Sequence, residues 1–350
     1  MVKRVAFAVP GDLATPTGGY AYDRRVIDEL RGRGWQADVV DPGGGFPFPD
    51  DAQREQAMRR LSVVEQGYAL IIDGLAFGAM AQEAALLGAR HPLVALVHHP
   101  LALESGLAPD VAAALRDSER KALAFASRVI VTSTQTADIL AGEYGVPRAL
   151  ILIARPGCDA APLAIGSEDG VARLLAVGAV SPRKGYGVLL DALARLRDLP
   201  WRLTIAGAPD RNADEAARLD AIIRAHDLSG KVTLAGAVSD AHLSDLYVGA
   251  DAFVSASLFE GYGMALAQAV AHGLPVVATR TGAAGDLASS GSGLLVEPGS
   301  VDGLADALQR VVADTALRQQ LRLGAHAARK NLPRWTETAM LFERTLETLS

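Results

Sequence analysis

The stretch SLFEGYGMALAQAVAHGLPVVATRTG, residues 257–282, sets one carboxylate, Glu260, ahead of Gly261 and Gly263 at the mouth of an otherwise apolar helix and strand. The glycines interrupt the apolar run, residues 264–271 read as a buried helix, and residues 275–278 read as a strand. A helix start exposes unpaired backbone N–H groups and positive partial charge, so a glycine-rich entry lets an anion such as a phosphate approach that backbone. Two readings fit: Glu260 offsets the helix dipole beside an ordinary turn, or the stretch cradles a ligand. Other segments carry residue types suited to the same chemistry. PTGGY follows the first apolar run, His98-His99 follows VALV, and SPRKG, with Arg183 and Lys184, follows LLAVGAV. The two cations precede a predicted helix at 186–197, whose positive end repels each by several tenths of a kcal/mol unless an anion lies there. Otherwise they are solvated turn residues. His98 and His99 are either loop histidines or a polar pair facing a cleft.

The elements that must position these residues alternate. RVAFAV, YALIID, HPLVALVHH, SRVIVTS and ALILIA in the first half, and ARLLAVGAV, WRLTIAG, KVTLAG, DAFVSAS and PVVAT in the second, are short apolar runs separated by helical stretches. That alternation predicts parallel βα units, with ligands beyond the carboxyl ends of the strands. The helix at 20–33 carries Val26, Ile27 and Leu30 on one face and starts directly after Gly18-Gly19. AAPLAIGSEDG, residues 160–170, has no periodicity and reads as a linker between two α/β domains, 1–160 and 171–333, with a last helix at 334–350 packing back on the first. In DPGGGFPFPD, Phe46 and Phe48 are either anchors or ligand contacts.

At 350 residues the chain exceeds the usual size of one core. A composition that is 50% hydrophobic and 21% charged is that of a globular protein, and the net charge of −6 gives no footprint for nucleic acid. The single cysteine, Cys158, excludes an internal disulfide framework and reads as a small buried hydrophobe in a reducing compartment. With no membrane-length apolar run and no signal-type start, the expected location is cytoplasmic. Arg24, Arg25, Arg31 and Arg33 near Trp35 are either a solvated helix face or a point of peripheral membrane contact. There is no G-x-G-x-x-G after the first strand, no phosphate-loop motif, no H-E-x-x-H and no G-x-S-x-G. A classical NAD enzyme, a P-loop NTPase, a zinc peptidase and a serine hydrolase are thereby disfavoured, and no metal site is expected.

Taken together, TGG near the start, VALVHH, SRVIVTS, RPGCD, VGAVSPRKGYGVLLDAL and EGYGMALAQAVAHGLPVVAT resemble the retaining glycosyltransferases of family 4, the group 1 glycosyltransferases, across essentially the whole chain. The resemblance implies a GT-B fold, α/β with two Rossmann-like domains facing across a cleft. It implies an enzyme that takes a nucleotide-diphosphate sugar as donor, needs no cofactor or metal, and passes the sugar to a small-molecule, glycan or lipid acceptor. It assigns Glu260 to the donor-sugar hydroxyls and the backbone of Gly261, Tyr262, Gly263, Met264 and Ala265 to the diphosphate. Lys184 and Arg183 would neutralise that leaving group, His98 would lie near the sugar, and Gly18-Gly19 would let the first domain close over the phosphates. Two positions depart from the family pattern. The second acid of E-x7-E is Gln268, an amide where a carboxylate usually meets the ribose, and Ala179 replaces the arginine of an R-x4-K pair, with Arg183 as its natural substitute. A nucleotide-sugar epimerase and a weak or inactive nucleotide-sugar-binding partner subunit are the alternatives.

Overall fold

A computed structural model describes residues 3–15, 17–209, 213–288 and 291–349. The chain divides into two compact units, Met1–Gly157 with Pro333–Ser350, and Cys158–Leu332.

The first unit contains strands β1 (Arg4–Ala8), β2 (Gln36–Val40), β3 (Ala69–Asp73), β4 (Leu93–Val97), β5 (Arg128–Val131) and β6 (Ile151–Ile153). They form one sheet in the order β2-β1-β3-β4-β5-β6, and every pairing is parallel. β3 and β4 are buried along their whole length because helices cover both faces, which is why they read as unbroken apolar runs. Register pairs Asp73 with Leu96, so the end of β3 lies beside the segment that leads into His98.

The closing helix of this unit is Trp335–Glu347, which buries Trp335, Ala339, Phe342 and Leu346. The Tyr22 ring meets Trp335 at 5.8 Å and Phe342 at 6.2 Å, and its hydroxyl donates to the Ala154 carbonyl at 2.9 Å. Gly157 passes so close to this helix that a Cβ there would lie 2.2 Å from the Trp335 nitrogen, which accounts for the glycine of RPGCD. Glu343 accepts from Lys3 at 2.8 Å, Arg33 Nε at 2.8 Å and the Trp35 indole at 3.2 Å. The clustered arginines are engaged inside the unit. Arg24 donates to the Leu13 carbonyl, Arg25 stacks on Trp335, Arg31 donates to the Ala37 carbonyl and Arg33 pairs with Glu343. A helix face held by internal partners is thus a sufficient account of that cluster. No helix among the described residues is long and apolar enough to cross a membrane.

The second unit contains β7 (Ala172–Val177), β8 (Trp201–Ala206), β9 (Val232–Gly236), β10 (Ala252–Ser255), β11 (Val276–Thr279) and β12 (Gly293–Val296), all parallel, in the order β12-β11-β10-β7-β8-β9. This is the strand order of dinucleotide-binding Rossmann sheets, whose direction of winding reverses between β7 and β10. Apolar clusters fill both faces. The stretch expected to be a linker, 160–170, belongs to this unit. The Ala164 N–H donates to the His272 carbonyl at 2.8 Å, Arg329 donates to the Ala161 carbonyl at 2.6 Å, and Ser167 Oγ donates to Asp251 at 2.6 Å. Small side chains let the segment lie flat on the fold; they do not make it free. The division instead falls between Gly157 and Cys158.

Candidate functional site

In a doubly wound sheet the loops leaving the two strands at the reversal diverge and open a crevice. In the second unit those strands are β7 and β10, whose loops carry Arg183-Lys184 and Ser257–Glu260 respectively. The structure brings these residues together. Glu260 Oε1 accepts from Lys184 Nζ at 2.6 Å and from Ser257 Oγ at 2.7 Å, while Oε2 lies 3.3 Å from Arg183 Nη1. Arg183 Nη1 also donates to the Phe259 carbonyl at 2.9 Å. Side-chain exposure is 13% for Glu260, 16% for Lys184 and 22% for Arg183, so the charges interact in a largely dry setting. Burial pushes the Glu260 carboxyl up, but the charges of Lys184 and Arg183 and the hydrogen bonds from Lys184 and Ser257 outweigh it and hold the group at about 2.

The anion that the two cations need beside the helix Tyr186–Ala194 is therefore present in the chain itself. Glu260 is committed to that ion cluster, and the helix Met264–Ala271 starts at Gly263, in the left-handed region at φ 100°, with no side-chain cap. Its first turn keeps the character of an anion site. Met264 and Ala265 are half-buried at this helix start, Gly261 is half-buried before it, and Gln268 is exposed one turn further on. The Tyr262 side chain is 5% exposed and packs in the core, which leaves its backbone as the part that faces the loop. The loop is held from behind by Gly282, where a Cβ would lie 2.7 Å from the Tyr262 carbonyl oxygen, and by the Ala283 N–H, which donates to that oxygen at 2.9 Å.

Close backbone approach also shapes the cation loop. Gly185 has φ 63°, and a Cβ there would sit 2.1 Å from the Ala256 carbonyl oxygen. Gly185→Ala should cost more than the roughly 1 to 2 kcal/mol of a left-handed alanine, because the contact is with backbone. The expected result is a melting midpoint several degrees lower with weaker nucleotide binding, read by thermal unfolding with and without ligand; wild-type stability would contradict this geometry.

In the first unit the sheet reverses between β1 and β3, and a second polar group lies at the ends of its strands. His98 Nε2 is 3.0 Å from Asp23 Oδ1 and 3.4 Å from Asp73 Oδ2. Neither aspartate was anticipated from sequence. A Cβ at Gly19 would be 3.2 Å from His98 Cδ2, so this glycine makes room for the imidazole. Gly18 and Gly19 lie inside the helix Gly18–Gly32, which Thr17 caps by accepting from the Tyr20 N–H at 3.0 Å. His99 turns away, with Nε2 3.2 Å from Glu104. Ligand-type atoms of Asp23, Asp73 and His98 all lie within 4.8 Å of one another, a spacing that could hold a cation. Phe46 packs against the core, while Phe48 is 59% exposed. Cys158 is half-buried, and burial pushes its thiol up to about 11.

Residues 163–328 match the family of glycosyl transferases group 1, and residues 21–161 match glycosyltransferase family 4. A D-inositol 3-phosphate glycosyltransferase of Pseudarthrobacter chlorophenolicus is 31% identical over 270 residues, covering 71% of this chain and 63% of that protein. The chain thus spans somewhat less than two thirds of that relative's length. Sucrose-phosphate synthase from Thermosynechococcus elongatus superposes with a TM-score of 0.83 at 21% identity, covering 99% of both chains. Anabaena Alr3699/HepE, solved in complex with UDP and glucose, gives 0.77 at 19% identity and covers 99% of this chain and 100% of that one. These two likenesses establish the two-unit GT-B fold.

Proposed function

The chain belongs to the group 1 glycosyltransferases, and from that premise we propose that it moves a glycosyl group from a nucleoside-diphosphate sugar to an acceptor, with retention at the anomeric carbon and without a divalent metal. The observation that carries the reading is the Lys184–Glu260–Arg183 cluster at the strand reversal of the second unit, beside an uncapped, glycine-entered helix start. When the bond between the anomeric carbon and the diphosphate oxygen breaks, its electron pair goes to that oxygen. Lys184, Arg183 and the backbone N–H groups after Gly263 stabilise the developing charge, the task a metal performs elsewhere. Glu260, held ionised, accepts from hydroxyls of the sugar and fixes its orientation.

Retention comes with the family premise; within it, Glu260 already accepts from three side chains and is poorly placed to be the covalent nucleophile of a double displacement, so the route proposed is attack on the same face. The acceptor oxygen then bonds to the face the diphosphate leaves, and its proton passes to the departing phosphate. Gln268, exposed beside the helix start, is assigned to the ribose hydroxyls as a neutral amide. His98 is assigned to a substrate oxygen. The UDP-bound neighbour makes UDP the first nucleotide to try.

UDP, GDP or ADP at about a hundred times its dissociation constant should stabilise the protein by roughly 2.7 kcal/mol, raising a melting midpoint by about 5 to 10 °C, with EDTA present. No shift with any of the three would remove the reading, and a shift seen only with Mg²⁺ or Mn²⁺ would remove its metal-free part. Mass-detected transfer from the matching sugar nucleotide completes the test. Stabilisation without turnover on any acceptor tried would point to a binding subunit, and interconversion of the sugar nucleotide to an epimerase.

A further inference from the structure

Asp23 is fully buried on the helix Gly18–Gly32, where its Oδ1 faces His98 Nε2 and its Oδ2 has no partner among the described residues. Asp73, 4% exposed, ends β3 and caps the helix Gly74–Phe77: Oδ1 accepts from the Leu75 N–H at 2.8 Å, and Oδ2 turns to the same imidazole nitrogen. The ring itself is clamped. Tyr22 meets it edge-on at 5.3 Å, Gly19 lies against Cδ2, and Thr132 Oγ1 is 3.4 Å from the His98 carbonyl oxygen. Arg24, whose charge reaches Asp23, directs its guanidinium to the Leu13 and Thr15 carbonyls. His99 is engaged with Glu104. Two carboxylates this deeply buried strongly favour a positive charge between them, and the imidazole is the group positioned to supply it.

We propose that Asp23 and Asp73 are positioning residues: they fix the His98 ring and keep both its nitrogens protonated, so that it presents Nδ1–H as a cationic donor at the end of β4. Nε2–H is consumed by the carboxylates, and Nδ1 makes no hydrogen bond to a described residue while 21% of the side chain remains exposed. Burial pushes the imidazole down, but the two aspartates outweigh it and push it up to about 10. Burial likewise pushes Asp23 up, against the pull of the His98 charge. A neutral histidine would offer substrate either a donor or an acceptor and would change its answer near neutrality. This one offers only a donor, and so selects a hydroxyl or phosphate oxygen that can accept. That His98 touches substrate rests on the function proposed above; the charge of the ring does not.

The test is nitrogen-detected NMR of the imidazoles of the full chain, with His98 assigned by its contact to the Tyr22 ring and by loss of its signals in His98→Gln. Wild type is expected to show both His98 nitrogens protonated at pH 8, with no midpoint below about 9, whereas Asp23→Asn should bring the midpoint below about 8 and Asp73→Asn should lower it less. In turnover, the pH profile of kcat/KM should fall on the alkaline side earlier in Asp23→Asn than in wild type. A wild-type His98 that titrates between about 6 and 7.5, the ordinary range, would overturn the inference even if no variant folds. So would an unchanged midpoint in Asp23→Asn, or displacement of the Nε2 proton by stoichiometric Zn²⁺ or Mn²⁺, which would make the cluster a cation site. Absence of turnover beside a charged ring would count against the proposed function alone.

Discussion

Glu260→Gln is expected to lower transfer at least ten-fold while leaving affinity for a bare nucleoside diphosphate unchanged or higher. The carboxylate is held ionised at about 2, and its predicted task is to accept from sugar hydroxyls. An amide keeps the shape and one acceptor oxygen but loses the charge, and a charge-assisted hydrogen bond is worth about 1.5 to 3 kcal/mol, or roughly ten- to a hundred-fold in rate. The nucleotide half of the site responds in the opposite sense. Glu260 neutralises Lys184 and Arg183 at 2.6 and 3.3 Å, and without it both cations have more charge to offer a diphosphate. Calorimetry with the nucleoside diphosphate and mass-detected transfer, run on the same preparations, separate the two effects. Equal losses in both would mean that Glu260 does not hold the sugar.

Lys184→Met is expected to damage stability and function together. It leaves a carboxylate that is 13% exposed with Arg183 and Ser257 as its remaining partners, and breaking a buried pair from one side costs about 3 to 5 kcal/mol. The second unit should melt on the order of ten degrees lower. Nucleotide affinity should fall roughly ten- to a hundred-fold as one charged contact to the diphosphate disappears. Because the Glu260 pKa in the fold, about 2, lies below its ordinary 4.5, the stability it contributes is fully present above pH 4.5 and is lost as pH falls from there towards 2. That shift corresponds to about 3 kcal/mol. The variant holds Glu260 less firmly, so its stability should fall less steeply between pH 5 and 3. Urea titrations across that range measure it, and equal steepness in both proteins would place the counter-charge elsewhere.

The parallel strands were legible because a strand covered on both faces carries an unbroken apolar run, as in ALIID and LVALV. Glu260, Arg183 and Lys184 were legible as types beside glycine at strand ends. Their meeting was not, since Lys184 and Glu260 are 76 residues apart and are joined only by the placement of β7 next to β10. Asp23 and Asp73 left signals that were passed over. Asp23 shares its helix stripe with Val26, Ile27 and Leu30, and a carboxylate in an apolar stripe needs a buried partner; Asp73 terminates the apolar run YALIID. The segment 160–170 misled because low periodicity marks irregular backbone, whether bound or free.

The helix Trp335–Glu347 covers Phe7 and Tyr22 and receives Lys3, Arg33 and Trp35 through Glu343, yet it is made after the second unit. A ribosome translating this chain completes all six strands of the first sheet and then the whole of Cys158–Leu332 before the piece that seals the first unit emerges. At ordinary elongation speeds that delay is on the order of ten seconds or more. Through that interval the aromatic face of the nascent unit stands open to water and to neighbouring chains. Newly made protein is then most exposed to misassociation and most in need of a chaperone, whereas the second unit, continuous in sequence, can close on itself as it leaves the tunnel.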